Sequence, residues 1–523
     1  MSEATDATWR ALARAWLLGV LALRLCTFLD YGLTWDEEFE KRNAVLTVRW
    51  YTSGFRDAAF LQDDRHLYGS FFNVMVWLAA RVSLLGYYET GHLLTTLFGF
   101  LATLMTYRLG ADLGGPRAGF FSAVALTLTP VFFGHSFNNP KDGPFAALFL
   151  TALALALRAY RSTAPPSSLR LLGVGAAIGL AAGVRIVGLS LLLVVAALAI
   201  WRAAGGSHGK ETRSGWAAAG PLAIVTLGAV AATLPWWPYL QRAPVEGTLN
   251  LFHNVTQFEW NRTVLFEGRQ VAAHALPRRY LPVWFLVSLP DFYFVAAVMG
   301  AGLAHRGESP RPASRSFEVL LVLSTALVPI GAAIVLRPVL YDGLRQVLFV
   351  LPPLAVLAGL GLDAIARQPP RWPKRLALAL AGGSLALTTG EMWMLHPYQS
   401  VYFNRTFGGG LPRASQRFET DYWGSSYKEA VEWLIANHRP VGPERLKVAN
   451  VSNMFLTAYY LQRPEAQARF EAVRRPGKAD IVLATTRWNL HRAWPGRILH
   501  TVQREGVALC YVIARRPPQP SSR

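Results

Sequence analysis

Apolar runs of about twenty residues recur along the chain, separated by short polar stretches. They fall at 11–30, 91–108, 117–134, 143–160, 169–184, 186–202, 215–238, 280–304, 317–336, 344–366 and 375–395. A run of that length, wound as a helix, crosses the ~30 Å hydrocarbon layer of a bilayer. The runs are continuous rather than alternating, so they predict spanning helices and not the two-residue repeat of a closed barrel. The expected fold is a polytopic α-helical membrane protein with about eleven transmembrane helices.

A further segment, 68–86, is apolar enough to span. The distribution of positive charge decides how to place it. If it does not cross, one side of the membrane collects Arg10, Arg14, Arg108, Arg117, Arg158, Arg161, Arg170, Arg202, Lys210, Arg213, Arg306, Arg311, Arg315, Arg367, Arg371, Lys374 and Arg375. The opposite short connections keep mainly Lys141, Arg185, Arg337 and Arg345. If it does cross, the N-terminus and the later Arg-rich loops fall on opposite sides. The positive-inside rule favours the first arrangement, with a cytoplasmic N-terminus and 68–86 lying along the outer interface or re-entering without crossing.

Three outer regions are then long: 31–90, 239–279 and 396–523. The last rises in charge and polarity, so residues 1–395 read as the transmembrane module and 396–523 as an extracytoplasmic α/β domain. Within it, Lys447-Val-Ala-Asn-Val, Ala479-Asp-Ile-Val-Leu-Ala and Gly506-Val-Ala-Leu-Cys-Tyr-Val-Ile have strand character, and 427–437 has helical character. The Pro-rich end from Arg516 reads as a disordered tail.

Composition supports this class. The 523 residues are 52% hydrophobic and only 16% charged, against about 25% charged in soluble proteins. The net charge of +20 sits mostly in short loops between apolar runs, so it orients the chain in a membrane and does not argue for nucleic acid. Cys26 lies in the first span and Cys510 near the end, which gives no disulfide framework. The first apolar run carries Arg24 near its end and lacks a small-residue cleavage site, so it reads as a retained span.

Two polar clusters stand out against this background. Tyr31-Gly-Leu-Thr-Trp-Asp36-Glu37-Glu38 follows the first span, and His135-Ser-Phe-Asn-Asn139-Pro-Lys141-Asp142 lies between two later ones. Charges near bilayer depth usually line a wet cavity, and the two clusters read as two walls of one active site. Each has a plainer reading: an acidic helix N-terminus for the first, a tight outer turn for the second. Tyr341-Asp342-Gly-Leu-Arg345-Gln346 stands at the outer end of a span, where Arg345 is either an interface anchor or a phosphate ligand. His253, Trp260 and Phe266 either shape a pocket or belong to an aromatic belt. Walker A, HExxH and CxxC patterns are missing from the sequence. Asn254, Asn261, Asn404 and Asn450 begin Asn-x-Ser/Thr matches.

In these residues the chain resembles the GT-C glycosyltransferases, and within them the bacterial relatives of the family 39 protein O-mannosyltransferases and lipid A aminoarabinose transferases. The resemblance rests on Trp35-Asp36-Glu37, on His135-x-x-x-Asn139-Pro-Lys-Asp142 and on Tyr341-Asp-Gly-Leu-Arg345. It also rests on Leu265-Phe-Glu-Gly268 with Tyr280-Leu-Pro282, and on Asp421-Tyr-Trp-Gly-Ser-Ser-Tyr-Lys-Glu. It covers most of the chain. It implies interfacial helices in the first outer loop and a catalytic Asp36 with Glu37 as its helper. Asp142 is the implied second acidic residue, and the donor a polyprenyl-phosphate-linked sugar. His135, Asn139, Lys141, Tyr341, Asp342 and Arg345 are expected to bind substrate, and a divalent metal, where present, to sit between Asp36 and Asp142. Residue 346, usually His in the pattern, is Gln here.

The expected activity is an inverting sugar transfer to an extracytoplasmic hydroxyl on a glycan, lipid or protein, in a bacterial inner membrane. A transporter or flippase of lipid-linked sugars is the rival, although the polar clusters gather at one face and no internal repeat is visible. A catalytically dead scaffold or receptor is the third reading.

Overall fold

The computed structural model describes residues 3–62, 64–162, 164–205, 218–258, 260–304, 313–369, 371–439 and 444–515. Lys210, Arg213, Arg306, Arg311, the first residues of the 215–238 segment and the Pro-rich end from Arg516 lie outside the described residues.

The chain opens with α1 (Glu3–Thr27), α2 (Glu37–Thr52) and α3 (Phe71–Ala79), followed by α4 (Tyr87–Gly114), α5 (Pro116–Thr127) and α6 (Pro130–Asn138). Next come α7 (Asp142–Arg161), α8 (Ser168–Ala182), α9 (Leu191–Ala203), α10 (Ala219–Thr233), α11 (Pro238–Arg242) and α12 (Pro244–Gln257). After a hairpin of β1 (Thr263–Phe266) and β2 (Arg269–Ala272) follow α13 (Tyr280–Ser288), α14 (Asp291–Ala304), α15 (Ala313–Leu336), α16 (Leu351–Arg367) and α17 (Trp372–Leu395). Each apolar run singled out in the sequence is helical over most of its described length.

Among the described residues, 6 helices are long and apolar enough to cross a membrane, or up to 8 if each of two bent pairs is one span. The bent pairs are α5 with α6, at 68°, and α13 with the start of α14, at 105°. The sequence predicts one span at 117–134 and one at 280–304. Pro130 and Pro290 interrupt them, because proline lacks an N–H donor and biases the preceding residue out of the helical region. The α3 helix covers nine of the residues in the 68–86 segment, about 14 Å of rise, roughly half of what a crossing needs.

The α7 helix is the axle of the bundle. In its most apolar 18-residue window 83% of residues are buried, against 22% in α10 and in α15, which therefore run along the outside. Small residues bring the central helices close. A Cβ on Gly359 of α16 would stand 2.1 Å from the Ser122 hydroxyl of α5, so this crossing depends on the missing side chain.

The C-terminal region holds α18 (Gly410–Ala414), α19 (Tyr427–Asn437) and a five-stranded sheet in the order β4-β3-β5-β7-β6. Its strands are β3 (Leu446–Asn450), β4 (Phe470–Ala472), β5 (Ile481–Thr485), β6 (Gly496–Arg504) and β7 (Val507–Arg515). The β3 strand runs parallel to β4 and β5, and β7 runs antiparallel to β5 and β6. The central β5 strand is buried at every position, as its uninterrupted apolar sequence requires. The β1–β2 hairpin turns through Glu267 and Gly268, both with positive φ, the geometry of a tight two-residue hairpin. It is tied to the C-terminal region by the Phe266–Phe418 bridge and by the Gly268 N–H, which donates to the Arg417 carbonyl.

Candidate active site

The site begins where the chain leaves α1. Asp36 takes the N-cap position of α2, yet its side chain does not cap the helix. Glu37, the first residue of the helix, points back along the chain and accepts from the Thr34 N–H at 2.7 Å, while its other oxygen lies 3.0 Å from His92 Nε2. The Asp36 carboxylate is therefore free to turn the other way, where it accepts from Arg345 Nη1 at 2.6 Å. Its side chain remains 27% exposed, against 7% for that of Arg345, so one face of Asp36 stays open.

The second polar cluster folds directly against the first. The Thr34 hydroxyl donates to the Asn138 carbonyl at 3.0 Å, and Asn138 Nδ2 donates to the Gly32 carbonyl at 2.9 Å. Asn139 Oδ1 accepts from the Asp142 N–H at 2.8 Å and the Lys141 N–H at 3.2 Å, a side-chain turn that starts α7. Asn139 Nδ2 donates to Asp142 Oδ2 at 3.0 Å, and the other Asp142 oxygen pairs with Arg185. Lys141 pairs with Glu40 and lies 4.0 Å above the Tyr68 ring. Glu40 in turn accepts from Asn73 Nδ2.

The third wall comes from the segment after α15 and from the C-terminal region. Asp342 accepts from Arg487 Nη2 at 2.7 Å and lies 3.5 Å from Arg345 Nε. Arg487 Nη1 donates to the Tyr422 carbonyl at 2.6 Å. The Tyr422 hydroxyl reaches His135 Nε2 at 2.9 Å, so buried His135 joins the second cluster to this wall. Asp421 organises the turn before α19 by accepting from the N–H groups of Gly424, Ser425 and Ser426. That turn brings Trp423 beside Arg345, with the guanidinium 4.8 Å from its ring centre. Tyr341 lies 5.0 Å from the same guanidinium and stacks on Trp260 at 4.3 Å.

These walls enclose a cavity of about 650 Å³, within the range of small-ligand sites. Its lining carries the cations Lys141, Arg185, Arg262, Arg345 and Arg487 and the carboxylates Asp36 and Asp342. Apolar side chains complete it, among them Ile186, Val187 and Trp237, with Pro329, Ala333 and Leu336 of α15. Burial would raise the Asp36 pKa, but Arg345, Lys141 and Arg185 outweigh it and hold the carboxyl below its ordinary range. Burial would likewise lower Lys141, and Glu40 and Asp36 reverse that and raise it. Asp342 is displaced upward, because its burial outweighs Arg487 and Arg345. Its neighbour Glu419, 3.8 Å from Arg487, is pushed up to about 7, chiefly by burial.

Of the residues singled out in the sequence, Asp36, Lys141, Tyr341, Asp342 and Arg345 line this one cavity. Glu37 does not: it faces a smaller recess with His92 on the far side of α2. His135, Asn139 and Asp142 stand behind the lining, connected to it through Tyr422 and Arg185. Trp260 lines the cavity, whereas Phe266 packs on Tyr280 and Phe418. Arg185, Arg487 and Trp488 were not foreseen as site residues. Arg185 carried a signal as an exception to the charge bias of the loops, while Arg487 and Trp488 lie in no recognisable motif. Among the described residues no group of three or more His, Cys, Asp or Glu side chains is placed to hold a metal ion. Asp36 and Asp142 each face an arginine instead, so the donor set does not fit a divalent metal.

No family model matches the chain, and no curated protein does. Solved structures do. ArnT from Cupriavidus metallidurans, a lipid A aminoarabinose transferase crystallised with undecaprenyl phosphate, aligns over 96% of this chain and 98% of its own. The identity is 18% and the TM-score 0.50. Its apo structure aligns over the same shares, at 16% identity and a TM-score of 0.51. This is the GT-C fold. Oligosaccharyltransferase AglB from Archaeoglobus fulgidus aligns over 90% of this chain and 69% of its own, at 14% identity and a TM-score of 0.48. With the GT-C fold in place, the apolar helices make this a multi-pass membrane protein.

Proposed function

We propose that the protein is an inverting membrane glycosyltransferase that moves a sugar from a polyprenyl-phosphate donor to a hydroxyl acceptor. The observation that carries this reading is one cavity lined both by a partly exposed Asp36 carboxylate against buried Arg345 and by a set of apolar side chains. That shape suits an amphiphile whose phosphate meets cations and whose prenyl chain meets hydrocarbon. The ArnT structure that shares this fold was crystallised with such a lipid, undecaprenyl phosphate.

In this reaction the acceptor oxygen attacks the anomeric carbon on the face opposite the phosphate. Its proton passes to Asp36. The bond from the anomeric carbon to the phosphate oxygen breaks, and the electron pair leaves on the polyprenyl phosphate. Asp36 is a serviceable base because neighbouring cations keep it ionised at neutral pH; a positioned base contributes about 10²–10⁴-fold. Arg345, Lys141 and Arg185 offset the charge that grows on the departing phosphate, with arginine suited to paired contacts. Tyr341, Trp260 and Trp423 offer flat faces for the sugar. Glu37, His135, Asn139 and Asp142 hold these groups in place. The protein sits in a bacterial inner membrane with a cytoplasmic N-terminus, and the cavity and the C-terminal domain, residues 396–523, lie outside.

Asp36→Asn tests the assignment. Purified in detergent, the variant is expected to fold and to bind undecaprenyl phosphate, with transfer from a radiolabelled polyprenyl-phosphate sugar falling at least about 10²-fold. Transfer at the wild-type rate would remove Asp36 as the base.

A further inference from the structure

Arg487 approaches the cavity from the C-terminal region, far in sequence from every other charged group there. The backbone that carries it is unusual: Trp488 and Asn489, which follow it, both have positive φ, 51° and 56°. Left-handed geometry at a tryptophan is costly, and such strain persists only where the surroundings fix it. Here the Trp488 indole N–H donates to the Thr263 carbonyl of β1 at 2.8 Å, and the Arg487 guanidinium lies 4.3 Å from the Trp488 ring. The effect is to hold Arg487 on Asp342.

Asp342 is the other carboxylate within reach of Arg345. Arg345 Nη1 sits 2.6 Å from Asp36, while its Nε stands 3.5 Å from Asp342 Oδ2 and is buried without a hydrogen-bond partner. A buried unsatisfied N–H is strongly drawn to a nearby carboxylate. Asp342 stops short of it while its other oxygen is held by Arg487 at 2.7 Å.

Resting on the sugar-transfer reading above, we propose that Arg487 is a positioning residue: by tethering Asp342 it keeps this carboxylate off Arg345, which stays committed to Asp36 and to the donor phosphate. The C-terminal region thus takes part in donor binding without itself touching the phosphate. Losing Arg487 lets Asp342 swing to Arg345 and compete with the phosphate for it. Losing the Asp342 charge as well removes the competitor.

The test is a double-mutant cycle read by undecaprenyl phosphate binding and by transfer. Arg487→Met is expected to weaken binding about tenfold and to raise KM for the donor more than it lowers kcat. In the Asp342→Asn background, adding Arg487→Met is expected to weaken binding by less than about threefold. An Arg487→Met change that weakens binding as much in the Asp342→Asn background as in the wild type overturns the proposal. Should Arg487→Met fail to fold, Arg487→Lys replaces it: its weaker grip on Asp342 predicts a smaller loss, again absent in the Asp342→Asn background, and an equal loss in both backgrounds overturns the proposal. A wild-type protein that neither binds undecaprenyl phosphate nor transfers sugar from any polyprenyl-phosphate donor sinks the parent reading instead.

Discussion

The segments before α2 and before α7 each present an aspartate paired with an arginine, and the two pairs differ in what surrounds them. Asp36 opens one face to the cavity while Arg345 is buried behind it. Asp142 is the reverse: its side chain is 3% exposed, and Arg185 is the member that reaches the cavity. The same chemistry therefore serves two ends. The first pair presents its carboxylate to the cavity; the second presents its cation. The difference comes from local backbone. Asp36 makes no side-chain bond to the end of α2 and turns to the cavity, whereas Asn139 binds both the backbone and the side chain of Asp142 and pins it inward.

The sharpest way to break this comparison is to remove each charge in turn. Asp36→Asn is expected to cost transfer about 10²–10⁴-fold with little change in the unfolding midpoint, since Asp36 is partly solvated. Asp142→Asn is expected to do the opposite. Removing one partner of a buried ion pair costs about 3–5 kcal/mol, and the partial exposure of Arg185 brings that toward the low end. The variant should unfold about 5 °C lower and show a raised KM for the lipid donor, with kcat falling less than about tenfold. An Asp142→Asn protein of unchanged stability that loses as much activity as Asp36→Asn would make Asp142 a reacting group.

How far the sequence reveals these walls depends on how local each feature is. The spanning helices announce themselves because bilayer burial demands long apolar runs, and α19, β3, β5 and β7 follow from apolar pattern within the last 128 residues. The bends at Pro130 and Pro290 were harder to foresee, since hydropathy averages over a break that proline geometry imposes. Asp36 and Lys141 were legible as charges out of place near a membrane. Glu37 carried the same signal for a different reason: it ties the Thr34 backbone to His92, and sequence alone does not tell which of two adjacent carboxylates faces the cavity. Arg487 was invisible because its importance comes from Asp342, 145 positions earlier, brought near by the docking of the C-terminal region.

A smaller effect tests how the second cluster is joined to the third wall. The Tyr422 hydroxyl and His135 share one buried hydrogen bond at 2.9 Å. Tyr422→Phe removes it and leaves a buried ring nitrogen without that partner, a cost of about 1–3 kcal/mol. Its expected signature is a modest drop in thermal stability together with a transfer rate within about tenfold of wild type. A larger loss of rate at unchanged stability would mean that Tyr422 meets the substrate itself.

The subtlest difference lies in how the carboxylates of the site respond to pH. Asp36 is held below its ordinary range by cations, so its contribution to stability is present above the ordinary carboxylate pKa and fades as pH falls toward the lowered value. Glu419 is raised from 4.5 to about 7, first by burial and then by Asp342, against the pull of Arg487. Its contribution therefore has the opposite sign: complete below about 4.5 and lost as pH rises through 7. With Asp342 using Arg487 at 2.7 Å and Glu419 at 3.8 Å, one guanidinium serves two acids. Glu419→Gln fixes the neutral form. It is expected to raise the unfolding midpoint at pH 8 by about 2 °C, with the gain shrinking toward zero by pH 5. A variant less stable than wild type at pH 8 would show that an ionised Glu419 is what Arg487 requires.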